Sequence, residues 1–564
     1  MNLDSRHNVA ERVHDPSYGS IPDGEENALL AVDESSDIDI DKNRDIPLSS
    51  IPNLWLIEAA LFTNVFLAGF DGTVTATTYQ TIGNEFNHTN ISNWITTAYL
   101  ITSTAFQPLY GSFSDVLGRR SCLFFASSIF GVGCLACGLS TNIYMLSFMR
   151  ALTGIGGGGL ITLSTIVNSD VIPCSRRPLF QAFQNLLLGL GAIFGASFGG
   201  SIASTVGWRW CFFTQVPVSV INLFLMGIYV PNQEGFENET LSKVIHPKRF
   251  LSDIDIAGSI LIIVGLSLQL LYLSIGCNGN VNENMWRQPS SLLLLVSSVV
   301  VLILFLVNEK RTTATAIIPL DLVTTSYGFV VLVISILVGF ASYAYLFTLP
   351  LFFQIVLGDS AAKAGLRLTI PSLFTPIGSF ITGVCMSKFN CLSRLLYAGI
   401  FLMFLGNFLF LLINNETPNW LIGIFLIPAN LGQGITFPTT LFTFIFAFSK
   451  KRQATATSTL YLFRSTGSVW GVAISSGVVQ VYATCYLQTA LRGLLNEDQI
   501  TQLITHINAN TSYIRSLRGE VKSTVVKGFE LGTQRAHLLS TLLSLLALTL
   551  CFIKDRLEKP LSRG

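Results

Sequence analysis

A carboxylate at position 71 sits inside an apolar run, from Leu54 to about Tyr79, that is long enough to cross a bilayer. A charge at that depth costs a few kcal/mol or more unless it faces a cavity or a partner, so an intramembrane acid is a functional residue by default. At about 100° per residue, Asn64, Asp71, Thr75 and Thr78 share one helical face. Such a polar stripe would line a pathway. Desolvation disfavours the bare charge, which makes Asp71 a candidate proton carrier that an acidic compartment could load. The alternative is a structural acceptor for an Arg or a helix end. On the first reading, Asp71→Asn should remove the proton site and leave folding largely intact.

A second intramembrane charge, Arg150, shares a face with Gly154, Gly157, Ser164 and Asn168. It sits beside a seam where another backbone can approach closely. It is either the partner of a carboxylate or a structural clamp. Downstream, Gly191, Gly195, Gly199 and Gly200 form a small-residue ridge on one helix, the signature of close helix packing. The segment GSFSDVLGRR, with Gly111, Asp115, Gly118, Arg119 and Arg120, places an acid, a turn glycine and two Arg between two apolar runs. Asp115 can cap a helix or pair with Arg119 or Arg120, a latch that one conformation keeps and another breaks.

The elements that must hold these residues are membrane-spanning helices. Half of the 564 residues are hydrophobic and 12% are charged, against roughly 25% charged in a soluble domain. Lys and Arg (34) nearly balance Asp and Glu (33), so no global charge points to nucleic acid. Apolar runs recur from Leu54 to Ile553 and are read as fourteen spans. Every even-numbered connection carries basic residues: Arg119 and Arg120, Arg176 and Arg177, Lys243 with Lys248 and Arg249, Lys310 and Arg311, Lys388 with Arg394, and Lys450 to Arg452. The short odd-numbered connections hold only Arg209, Arg287, Lys363 and Arg367. This bias predicts that both termini are cytosolic. The sequon residues Asn87, Asn90, Asn415 and Asn510 then fall on the opposite side, where glycosylation occurs.

The expected organisation is a disordered acidic tail (1–53), a six-helix half (54–230), a linker (231–255), two inserted helices (256–308) and a second linker (309–326). A second six-helix half (327–553) with a long loop at 487–534 follows, then a short tail (554–564). The sequence holds no nucleophile and base pair, metal cluster or phosphate-binding loop, which argues against an enzyme.

Taken together, GSFSDVLGRR, RALTGIGGGG from Arg150 to Gly159, GAIFGASFGG from Gly191 to Gly200, and FDGTV from Phe70 to Val74 resemble the fourteen-helix drug:proton antiporters of the major facilitator superfamily. GWRW at 207–210, LPLFFQIVLGDSAAKAGL at 349–366 and FRSTGSVWG at 463–471 extend the likeness. Ala196 stands where the antiporter motif usually has proline. The resemblance implies an all-α integral membrane fold of two pseudo-symmetric halves around a central cavity that alternates its access. It adds Arg464 as a buried cation, and Gln107, Gln184, Asn185, Tyr345, Asn430 and Gln433 as cavity candidates, with Asn64, Asp71, Thr75 and Arg150 in proton coupling or substrate binding.

Within that branch the chain most resembles the fungal vacuolar transporters of basic amino acids. That implies a small cationic substrate exchanged for protons, with the proton gradient in place of any cofactor and the lipid bilayer as setting. Plasma-membrane drug export and a transport-dead nutrient sensor are the alternatives. Glu25, Leu29 and Leu30 resemble an acidic dileucine signal, which implies a vacuolar sorting adaptor as partner.

Overall fold

A computed structural model describes residues 52–561, except 87–91, 93, 174, 232–253, 279–287, 313, 360, 390, 415, 450–451 and 510. The acidic tail, the dileucine residues Glu25, Leu29 and Leu30, and the sequon residues Asn87, Asn90, Asn415 and Asn510 lie outside the described residues. The described chain is helical. In the apolar layer of a bilayer every backbone group must be satisfied within the segment, and a helix does this for long apolar runs.

The first bundle comprises α1 (Leu54–Glu85), α2 (Trp94–Leu117), α3 (Arg119–Gly138), α4 (Ile143–Val171), α5 (Arg177–Thr205), α6 (Arg209–Phe213) and α7 (Gln215–Tyr229). Helices α8 (Ile256–Asn278) and α9 (Pro289–Arg311) follow as a pair. The second bundle holds α10 (Leu320–Thr324), α11 (Ser326–Ile355), α12 (Ala361–Ser372), α13 (Phe374–Phe389), α14 (Leu392–Phe410) and α15 (Asn419–Ile445). It ends with α16 (Gln453–Ala490), α17 (Glu497–Ala509) and α18 (Gly519–Leu561).

Thirteen described stretches are long and apolar enough to cross a membrane. Helix α2 supplies the fourteenth. Its 24 residues span roughly 36 Å, more than a hydrocarbon core of about 30 Å. Its hydropathy is lowered by Thr104, Gln107, Ser112 and Ser114, all buried against neighbouring helices.

Each bundle is built on a glycine seam. A Cβ on Gly191, Gly195 or Gly199 of α5 would collide with Phe66, with Phe70 and Thr73, or with Val74 and Thr77 of α1. The second half repeats this between α11 and α16. There Gly467 and Gly471 lie against the carbonyls of Ile336 and Phe340, and Gly339 against that of Arg464. Gly200 departs from the expected ridge: a Cβ there would meet nothing within 4 Å, because a turn of one residue beyond Gly199 carries it off the contact line. Between the bundles, α2 packs on α16 and α5 on α13, while α8 covers the outer side of α2 and α16. Helix α9 turns Leu293, Val296, Val300 and Ile303 outwards, as a lipid-facing surface requires.

Two expectations are revised. GSFSDVLGRR is not an extended loop: α2 continues to Leu117, and Gly118 alone, at a φ of 86° open to glycine, breaks the chain before α3. The segment 487–534 is not a loop either. The end of α16, helix α17, a 3-10 turn at Thr511–Ser516 and the start of α18 build it up, and α18 begins at Gly519 instead of near 535. Ile500, Leu503, Ile504 and Ile507 recur at helical spacing and are buried with Val479, Leu487 and Phe352 in one core.

Gly195→Leu and Gly467→Leu are therefore each expected to cost at least about 1–3 kcal/mol through overpacking and to lower the yield of monodisperse protein. Gly200→Leu should leave the melting temperature within a degree or two of the parent, as judged by thermal unfolding in detergent.

Candidate functional site

Asp71 and Arg150 find each other. One guanidinium nitrogen of Arg150, Nη1, lies 2.8 Å from both Oδ1 and Oδ2 of Asp71, and both side chains are fully buried. The pair is anchored from several helices. Arg150 Nε donates to the Ile95 carbonyl at 3.3 Å, and Gln215 Nε2 donates to Asp71 Oδ1 at 3.4 Å. The Tyr99 ring lies 4.4 Å from the guanidinium carbon, a cation–π contact in a dry setting. Arg150 Nη2 has no hydrogen-bond partner among the described residues.

Two turns along α1, Asn64 continues the polar stripe. Its Oδ1 accepts from Asn222 Nδ2 at 2.7 Å and from Ser127 Oγ at 3.0 Å, and its Nδ2 lies 3.3 Å from Met226 Sδ. Thr75 and Thr78 are buried and return their hydroxyls to the carbonyls of Asp71 and Val74. The stripe is thus spent on neighbours within the first half.

A separate cavity of about 90 Å³ lies between the halves. Gln107, Gln184, Asn185 and Arg464 line it, together with Val65, Tyr343, Phe437 and Tyr461. Gln184 is held by the Ser164 carbonyl and by Thr165, whose hydroxyl lies 3.0 Å from that of Tyr461 across the interface. Arg464 stacks on Tyr461 and Phe437 at 4.3 and 4.7 Å and donates to the Phe437 carbonyl. Gln107 Oε1 is buried without a partner among the described residues. Among the described residues, no carboxylate lines this cavity.

Three expected residues lie elsewhere. Asn430 donates to the Tyr345 hydroxyl at 3.0 Å, which itself donates to the Leu426 carbonyl, so both are bound within the second half. Gln433, half-buried on α15, is not part of the lining. Tyr461, Ser465 and Ser468 were not anticipated, although with Arg464 they recur at helical spacing on α16.

The model of the Major Facilitator Superfamily matches residues 61–472. The chain belongs to that superfamily. Vacuolar basic amino acid transporter 2 of Saccharomyces cerevisiae is 71% identical over 474 residues, covering 84% of this chain and all of the relative. Multidrug resistance protein fnx1 of Schizosaccharomyces pombe is 34% identical, covering 85% of this chain and 88% of its own. Among solved structures, the human organic anion transporter MFSD10 (TETRAN) superposes with a TM-score of 0.57 at 12% identity, over 89% of this chain and all of its own. That likeness concerns the fold. As a major facilitator the chain is a transporter and not an enzyme.

In this transporter the residues of GSFSDVLGRR are tied to neighbouring helices. Arg119 Nη1 lies 2.7 Å from Asp115 Oδ1, and its Nε lies 2.8 Å from Asp170 Oδ2 at the end of α4. Arg120 reaches the Gly227 carbonyl of α7, and Gly111 makes room for Ser458 of the opposite half. At the same end, Arg177 Nη1 donates to Gln453 Oε1 at 3.0 Å, and Phe183 meets Phe380 at 6.0 Å. The halves are therefore knit together at the end that carries the basic connections. At the other end Glu85 accepts from Arg209 and from Trp208, each at 2.7 Å. Asp359 takes Lys363 at 2.8 Å and also pairs with Arg367.

The Arg209 guanidinium, aided by Trp208, holds the Glu85 carboxyl below its ordinary value. Burial opposes the charge on Asp359, yet Lys363 and Arg367 together still hold it below its ordinary value. A depressed carboxyl stabilises the fold above the unfolded value and loses that stabilisation as the pH falls through the folded one. Both contacts therefore persist in mild acid.

Two outcomes follow. Asp71→Asn strands Arg150 as a buried cation, so instead of leaving folding intact it should cost about 3–5 kcal/mol. Replacing the two residues together by Leu and Met should restore most of the melting temperature. Separately, the melting temperature of Glu85→Gln should fall less steeply than the parent's when the pH is lowered below 4.5, the ordinary value for this carboxyl; parallel curves would refute the assignment.

Proposed function

We propose that this chain is a proton-coupled antiporter that moves basic amino acids from the cytosol into the vacuole, with both termini in the cytosol. The observation that carries the reading is the 71% identity to a vacuolar basic amino acid transporter along that relative's whole length. The buried Asp71–Arg150 pair supports the coupling. A proton arriving from the lumen neutralises Asp71 and leaves Arg150 as an unpaired cation in a dry site, an arrangement too costly to persist. Arg150 must then find other partners, which shifts α4 against α1 and α2, and the proton is released when the pair reforms towards the cytosol. The cavity supplies amide oxygens, including Gln107 Oε1, which has no partner among the described residues, and the aromatic ring of Tyr343, which suit an ammonium or guanidinium.

A second reading, export of drugs for protons, is favoured by the 34% identity to a multidrug resistance protein. The Tyr343 ring would serve that substrate class too. The acid-tolerant contacts at Glu85 and Asp359 favour a lumen-facing end and so the vacuolar reading. ATP-dependent uptake of labelled lysine, arginine and histidine into isolated vacuolar vesicles distinguishes the two. Uptake should require the protein and collapse with a protonophore; vesicles that hold the protein and take up none of the three amino acids would favour drug export.

A further inference from the structure

Glu58 is a second carboxylate inside the first span, and nothing described so far uses it. It is fully buried, and neither Oε1 nor Oε2 has a hydrogen-bond partner among the described residues. Its position on α1 is informative. Seven residues on stands Val65, which lines the central cavity, and seven further stands Gly72, where a Cβ would meet nothing within 4 Å. Residues seven apart lie about 20° from one another on a helix, so Glu58, Val65 and Gly72 share one stripe of α1, of which Val65 faces the cavity. Glu58 occupies its closed end, roughly 10 Å from Val65 towards the basic connections. Trp55 and Phe62 flank it and meet Phe180 and Phe183 of α5 at 6.3 and 6.4 Å, and Phe183 touches Phe380 of the opposite half. Of these contacts, that of Phe183 with Phe380 joins the two halves, at the same end of the molecule as Glu58.

The transport path needs such a group. A cationic side chain leaving water requires a negative partner. Among the described residues the cavity offers Arg464 and no acid, while both oxygens of Asp71 are taken by Arg150. A bare buried carboxylate is retained only where another need outweighs its cost.

We propose that Glu58 is the recognition site for the ammonium or guanidinium group of the substrate at the cytosolic mouth of the pathway, exposed when the halves part on that side. This rests on the reading of the chain as a basic amino acid carrier. In it Asp71 handles the proton and Glu58 the substrate charge, so the two carboxylates are separate in place and in role.

Lysine uptake into vacuolar vesicles tests the division of labour. Glu58→Gln should raise the KM for lysine at least tenfold with a smaller change in the maximal rate per carrier, Glu58→Asp should recover most of the affinity, and the melting temperature of Glu58→Gln should not fall. A Glu58→Gln carrier with the parental KM overturns the assignment while the function stands. A parent that takes up no basic amino acid overturns both. A second variant covers the case in which Glu58→Gln is not made: Glu58→Cys should react with a cationic thiol reagent added from the cytosolic side, above the parental background, and lysine should slow the reaction. Absence of labelling, or labelling that lysine leaves unchanged, refutes the site.

Discussion

The fully buried ion pair between Asp71 and Arg150 is the constraint around which the first half is arranged. Two charges removed from water are tolerable only with close geometry and further hydrogen bonds to share the load. The pair obtains them from the Ile95 carbonyl, Gln215 and the face of Tyr99. That requirement sets the register of α1 against α2, α4 and α7 at once. Gly154 and Gly157 are glycine because Tyr99, which covers the guanidinium, lies directly against them. A change in the charge of either partner therefore reaches several helices together, which is what coupling a proton to a conformational change demands.

The second half solves the same packing problem without charge. At the corresponding depth Tyr345 and Thr348 of α11 meet Asn430 of α15 and His537 of α18, and His537 stacks on Phe410 of α14 with ring centres 3.7 Å apart. The glycine seams lie within each half, backbone against backbone, and leave no slack for sliding. The contacts between halves, such as Arg177 with Gln453 and Phe183 with Phe380, are made by side chains that can separate and be re-solvated. Rigid halves joined by breakable contacts are the physical basis of rocking.

Much of this is legible in the sequence. Asp71 and Arg150 declare themselves because each is a charge in an apolar run, and the ridge of Gly191, Gly195 and Gly199 because its spacing is helical. Their mutual pairing is not legible, since the partners are 79 positions apart and only tertiary geometry brings them together. Tyr345 and Asn430 look like cavity residues for the same reason that they are not: polar groups in a span need partners, and these two found one another. Arg464 enters through the family resemblance, but its neighbours Tyr461, Ser465 and Ser468 join it only once the helix is traced. Glu58 lies close enough to the start of its run to pass for an interfacial acid. Helix α17 was hidden by polar residues around a narrow apolar stripe.

Helices α16 and α18, at 38 and 43 residues, are roughly 57 and 65 Å long, about twice the apolar thickness of a bilayer. With α17 they share a continuous core that begins inside the second half, so they form a rigid collar on one half of the molecule. A binder raised against that collar would grip a moving part while leaving the pathway untouched, and the collar's tilt would report which way the carrier faces.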